Sequence, residues 1–143
     1  VVDHLHMLVS ALGEGDERRA IDNIMTRLRS LVEETGAGLI LVSHLRRVDG
    51  NKGHENGIEV SLSHLRGSNS IGQLSDCVIA LERNQQSDDA DEARTTRLRI
   101  LKSRYTGDVG MATSLMYDKE TGRLSESFDT EFEVSETQTQ IAF

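Results

Sequence analysis

The chain has 143 residues, a formal net charge of −8, 36% hydrophobic residues and only 3% aromatic ones. That length suits one domain with a modest core, and the acidic balance argues against a general nucleic-acid coat protein. No apolar run approaches the roughly 20 residues that span a bilayer, and no signal-peptide pattern opens the chain. The single cysteine, Cys77, excludes an internal disulfide and agrees with a reducing cytoplasm.

Val1-Val2-Asp3-His4-Leu5 reads as the end of an apolar strand that stops on an aspartate. Natural domains seldom open mid-strand, so the sequence predicts a chain cut upstream. After a turn containing Gly13 and Gly15, residues 16–35 place Ile21, Ile24, Met25, Leu28, Leu31 and Val32 three and four apart, one face of a helix. Asp16 and Glu17 suit its positive end and Gly36 its stop. Residues 37–42 form a nearly continuous apolar run ending in Ser43-His44, which predicts a parallel strand covered on both faces. A polar loop with Gly50, Gly53 and Gly57 follows, then a helical or turn segment over 61–75. A second buried strand is expected over 76–81, holding Cys77 as an inert thiol. Residues 85–93 read as an acidic surface loop and 95–102 as a half-exposed strand. Asp118-Lys119-Glu120-Thr121-Gly122 reads as a hairpin turn between strands at 111–117 and from 123 on. Residues 124–143 carry no Lys or Arg. They contain all three phenylalanines and the acids Glu126, Asp129, Glu131, Glu133 and Glu136, most of the net charge. The expectation is therefore an α/β domain over residues 1–124, its sheet mostly parallel with an antiparallel edge hairpin, and a disordered acidic tail over 125–143.

Several positions carry chemistry. An aspartate at the carboxyl end of a strand, as at Asp3, is where nucleotide-hydrolysing folds hold magnesium, although aspartates at strand ends are more often turn residues. His44 at the tip of the neighbouring strand suits contact with a γ-phosphate, or simply a hydrogen-bonded strand end. The two tips together favour the ligand reading, because ligands of open α/β sheets gather at carboxyl ends. Arg46, Arg47 and Lys52 lie on a glycine-punctuated loop suited to a nucleic-acid backbone, or to plain solvation. The run from Leu65 to Asp76 is small, polar and backbone-exposing, and amides beside Gly67 and Ser68 suit phosphate oxygens. No GxxxxGK[ST] phosphate loop occurs.

The stretches Asp3-His4, Ser43-His44-Leu45, Leu65-Arg66-Gly67-Ser68, Gln73-Leu74-Ser75-Asp76, Glu82-Arg83-Asn84-Gln85-Gln86, Thr106-Gly107-Asp108 and Lys119-Glu120-Thr121-Gly122 follow one another in order. In that order they resemble the helicase half of the bifunctional primase-helicases of T-seven-like phages, which are RecA-like hexameric ring helicases. The resemblance runs from Val1 to about Leu124. It implies the C-terminal half of a RecA-like P-loop NTPase domain, beginning at the Walker B strand. Asp3 would sit at the Mg2+ ion, His44 would sense the γ-phosphate, and Arg46, Arg47 and Lys52 would grip single-stranded DNA. Arg66, Gly67 and Ser68 would form a second DNA element, coupled to the nucleotide through Gln73. Arg104, with Lys102 nearby, would be the arginine finger for a neighbour's nucleotide, and Arg83 and Tyr117 would sandwich the base. The fuel would be ATP or dTTP, the assembly a homo-hexameric ring, and the acidic tail ending in Phe143 a handle for the replicative DNA polymerase. Gly72 departs from the family, which tends to carry a basic residue there. The phosphate loop and the glutamate that activates water would lie upstream, so this chain alone is expected to be inactive. A recombinase of the same fold and a non-catalytic DNA- or polymerase-binding module are the alternatives.

Overall fold

The computed structural model describes residues 1–10, 15–48 and 53–127; Lys52, Phe143 and the acidic stretch from residue 128 on lie outside the described residues. Three helices, α1 (Leu5–Ser10), α2 (Glu17–Thr35) and α3 (Ser70–Leu74), precede or flank four strands, β1 (Cys77–Arg83), β2 (Thr95–Ser103), β3 (Gly110–Tyr117) and β4 (Leu124–Ser127). No described helix is long and apolar enough to cross a membrane.

The long helix forms as its spacing predicts. The Asp16 carboxylate accepts from the amides of Arg18 (3.0 Å) and Arg19 (3.4 Å). Gly36, at φ 67°, closes the other end by donating to Val32 O at 2.9 Å. Ile21, Ile24 and Met25 bury against Leu5 and Ile71, with Leu28, Leu41, Leu65 and Leu74 packed around them. Leu31 stays half exposed. The last turn of α2 runs past this core, and Val32 lines an open cleft of about 440 Å³ together with the outer side of Leu28, residues 36–39, Leu74 and Cys77.

The α/β class is as expected, but the sheet is not mostly parallel. Among the described residues parallel pairing is one bridge, Val2 with Leu41, fixed by Val2 N to Ile40 O (2.8 Å) and Val42 N to Val2 O (2.9 Å). The chain then turns into α1, whose first amide, Leu5 N, also donates to Val42 O (2.9 Å). Among the described residues, 37–42 pair only through this bridge and are not covered on both faces, with Ile40 66% exposed. The four strands form one antiparallel sheet in the order β1-β2-β3-β4. Their connections explain this, since each is shorter than the dozen or so residues a parallel crossover needs.

The expectation of a fully buried strand at 76–81 also needs correcting. Burial alternates along β1, with Val78, Ala80 and Glu82 covered while Ile79 and Leu81 are open. Cys77 falls on the open face and is exposed, not an inert core thiol. The covered face holds a charge: buried Glu82 accepts from Arg99 Nε at 2.9 Å and from the amide of buried Val60 at 2.8 Å. Arg99 also reaches Glu59 at 2.9 Å. The β3–β4 turn is the predicted hairpin, where the Asp118 carboxylate accepts from Glu120 N (2.9 Å) and Thr121 Oγ1 (2.6 Å) and Gly122 takes a positive φ. The sheet continues through β4 to Ser127.

Candidate functional site

The bridge between Val2 and Leu41 brings the two strand ends together as the sequence suggested. Asp3 follows one and Ser43-His44 the other, and the Asp3–His4 peptide is cis. The Asp3 side chain is solvent-exposed and makes no hydrogen bond or ion pair among the described residues. The His44 ring lies 4.1 Å from that of His4 and 5.6 Å from that of His6, centroid to centroid. Burial, reinforced by the charge of Arg66, holds the His6 imidazole below its usual pKa of 6.5, with Glu17 pulling the other way.

His44 is tied directly to the glycine-serine segment. Leu45 and Leu65 form an antiparallel bridge, Arg66 N donates to His44 O at 3.0 Å, and Arg46 N donates to His64 O at 2.8 Å. Three expected contact elements thus share one piece of backbone: the strand tip, the start of the basic loop, and Arg66. The side chains of Arg46 and Arg47 are exposed, and the Arg66 guanidinium, 52% exposed, sits 3.6 Å from Glu17.

Gly67 lies exposed in a turn that closes on α2, and Ser68 points inward. Gly67 adopts φ 108°, and a Cβ there would strike Cδ1 of fully buried Ile21. Ser68 is buried, donating its hydroxyl to Asp22 on α2 and accepting from Ser70 N at 3.1 Å. The Ser68 hydroxyl is the main reason the Asp22 carboxyl lies below its ordinary 3.8. Ser68 is an inward anchor, while Arg66 and Gly67 reach solvent.

The segment runs on into α3, whose last carbonyls meet the remaining candidates. Lys102 Nζ donates to Gly72 O (2.7 Å) and Gln73 O (3.0 Å), and Arg104 Nη2 approaches Gln73 O at 3.4 Å. Asp76 pairs with Arg104 (3.1 Å) and with Arg29 of α2 (2.7 Å). The Gln73 side chain is itself exposed. Arg83 and Tyr117 do meet, the guanidinium carbon 5.8 Å from the ring centroid, with Arg83 Nε also donating to Ala93 O at 2.7 Å. Placing a base between them needs two van der Waals separations, about 7 Å or more, so the pair must part to admit one. Arg83 ends β1, whereas Cys77 at its other end pairs with Ser103, next to Arg104. The Arg83–Tyr117 pair and Arg104 are therefore separated by the length of a seven-residue strand, about 20 Å at roughly 3.3 Å per residue.

A model of the DnaB-like helicase C-terminal domain matches residues 1–126. The chain belongs to this family. It is 46% identical over 127 residues to the DNA helicase/primase of Enterobacteria phage T3, covering 89% of this chain and 22% of that protein. This helicase-family chain thus spans about a fifth of the length of that curated relative. Among solved structures, the ATPase domain of the protein G-forty-P superposes with a TM-score of 0.63 at 27% identity, over 77% of this chain and 37% of the other. The fold is accordingly RecA-like, as the motif order predicted. Sequence reasoning identified the strand tips of this helicase domain but not the partners that fix them. His6, Asp22, Arg29 and Asp76 were not singled out, and apart from the Asp76 motif position no local signal marks them. Their contacts span 46 or 47 residues at Asp22–Ser68 and Arg29–Asp76.

Proposed function

We propose that this chain is the sensing and DNA-gripping portion of the motor of a phage replicative helicase, which couples nucleoside triphosphate hydrolysis to 5′-to-3′ movement on single-stranded DNA. The observation that carries the reading is the shared backbone at His44 and Arg66. A shift at the strand tip facing the phosphate moves the basic loop and Arg66 together, because Arg66 N is bonded to His44 O. Those groups are the ones suited to DNA phosphates.

The residues present fit a nucleotide with its divalent cation. Asp3 offers an unengaged, solvent-accessible carboxylate, the oxygen ligand that Mg2+ requires. A bound Mg2+ with ATP or dTTP would supply charge neutralisation at the phosphates. Asp3 would hold the cation through oxygen or water, His44 would contact the γ-phosphate, and Arg83 and Tyr117 would clasp the base. Arg104 stands about 20 Å from that clasp. This spacing supports its acting on the nucleotide of a neighbouring copy, as in a hexameric ring. Gln73, whose carbonyl Lys102 and Arg104 share, would couple the DNA element at Arg66 to the nucleotide. The acidic stretch ending in Phe143 would bind the polymerase, with charge steering the approach and the ring anchoring it.

In the full-length protein, Arg104→Ala should lower hydrolysis about a thousandfold or more while leaving nucleotide binding intact. Hydrolysis close to wild type would remove the finger assignment. The isolated chain, which carries no phosphate-loop motif, should neither hydrolyse nucleotide nor unwind DNA, and DNA-stimulated hydrolysis by it would overturn that statement. Closed rings in electron micrographs of the full-length protein support the helicase, and filaments the recombinase alternative.

A further inference from the structure

His4, His6 and His44 come from two segments that the Val2–Leu41 bridge holds side by side, and one ligating atom from each lies within 4.8 Å of the others. The rings are not packed as ordinary core groups. His4 Nδ1 and both nitrogens of His6 are buried and make no hydrogen bond. Glu17 Oε1 lies 3.5 Å from His6 Nε2, an ion-pair distance without a hydrogen bond. Buried ring nitrogens without partners are uncommon, and a missing ion is one of the recognised reasons for them.

The geometry points to a transition-metal site formed by His4, His6 and His44, taking Zn2+ or a similar borderline divalent cation. Three imidazoles select such ions, whereas Mg2+ takes oxygen ligands. Tetrahedral ligation at about 2.0–2.1 Å sets the nitrogens roughly 3.3 Å apart. The rings therefore need to close by about 1.5 Å at most, and exposed His44 is free to make that movement. Glu17 stands beside His6, where a carboxylate orients a ligating imidazole through its second nitrogen or completes the shell. Three protein nitrogens leave a fourth position open to water or an anion. The site shares His44 with the helicase reading, but it is argued from ring positions alone.

The test uses the untagged 143-residue chain, freed of metal by chelation and titrated with Co2+ followed by visible absorption. One equivalent should produce the intense ligand-field bands of tetrahedral or five-coordinate nitrogen ligation. Zn2+ should bleach them, and excess Mg2+ should not. His6→Ala and His44→Ala should each weaken Co2+ binding at least about tenfold. Cys77→Ser, and His54→Ala in the neighbouring pair of His54 and His64, should leave it unchanged. Binding indifferent to the first two variants, or abolished by either of the last two, overturns the site. X-ray absorption at the zinc edge of the wild-type complex guards against variants that fail to fold. A nitrogen shell with imidazole scattering supports the site, and a shell of oxygen alone or containing sulfur refutes it.

Discussion

Glu82 offers the sharpest test of how the sheet is held. Its carboxylate is buried and receives two donors, Arg99 Nε at 2.9 Å and Val60 N at 2.8 Å. Replacing it with alanine leaves the amide of Val60, a residue 3% exposed, without an acceptor, at about 1–3 kcal/mol. Arg99 fares better. It retains Glu59 at 2.9 Å and is 20% exposed at the side chain, so its loss adds about 1 kcal/mol or less. Glu82→Ala should therefore destabilise by about 1–4 kcal/mol, a sizeable part of a typical 5–15 kcal/mol. Glu82→Gln keeps an acceptor for Val60 and should lie between alanine and wild type. Glu59→Ala, whose carboxylate is 70% exposed, should change stability by about 0.5 kcal/mol or less. Urea titration followed by circular dichroism measures all three, provided the m-values agree. If Glu82→Ala and Glu59→Ala shift the midpoint equally, the buried pair does not hold the sheet in this way.

Other consequences follow from the anchoring of the segment after Arg66. Gly67→Ala should destabilise by about 2–4 kcal/mol, from the positive φ and from the displacement of Ile21. Adding Ile21→Val removes the obstructing methyl, so the double variant should lose less than the sum of the singles in thermal melts; strict additivity would rule out the clash. Asp22 has a lowered folded-state pKa, so its contribution to stability is present above 3.8 and fades as pH falls through the lower folded value. Ser68→Ala, which removes the main cause, should flatten that acid limb of the melting profile, and an unchanged limb would contradict the cause. Asp76→Ala unpairs Arg29 and Arg104 together and should lower the melting temperature. A larger loss for Arg104→Ala alone would show that Arg104, rather than Asp76, organises this corner.

The sequence made the long helix legible because its periodicity, its Asp16 cap and its Gly36 stop all agree. The β3–β4 hairpin was legible because Asp118 and Gly122 dictate the turn locally. The sheet's direction was not. A short apolar run such as residues 37–42 or 77–81 reads alike in either orientation, and only the brevity of the connections decides. Apolar content also overstated burial, since Ile79, Leu81 and Ile40 have no covering layer among the described residues. At the site, motif order pointed to Asp3, His44 and Arg66, because each falls within a recognisable run. The inward turn of Ser68 was invisible, because its acceptor on α2 lies 46 residues earlier.

The separation of Arg83 and Tyr117 from Arg104 along β1 has a consequence for stoichiometry. If one copy supplies the clasp and the next supplies the finger, no subunit owns a whole catalytic centre. Two defective proteins, one altered at Arg104 and one at Tyr117, would then regenerate intact sites when mixed. At equal amounts about a quarter of the junctions would pair a sound clasp with a sound finger. Activity would thus emerge from combining two inactive preparations, as complementation does in genetics.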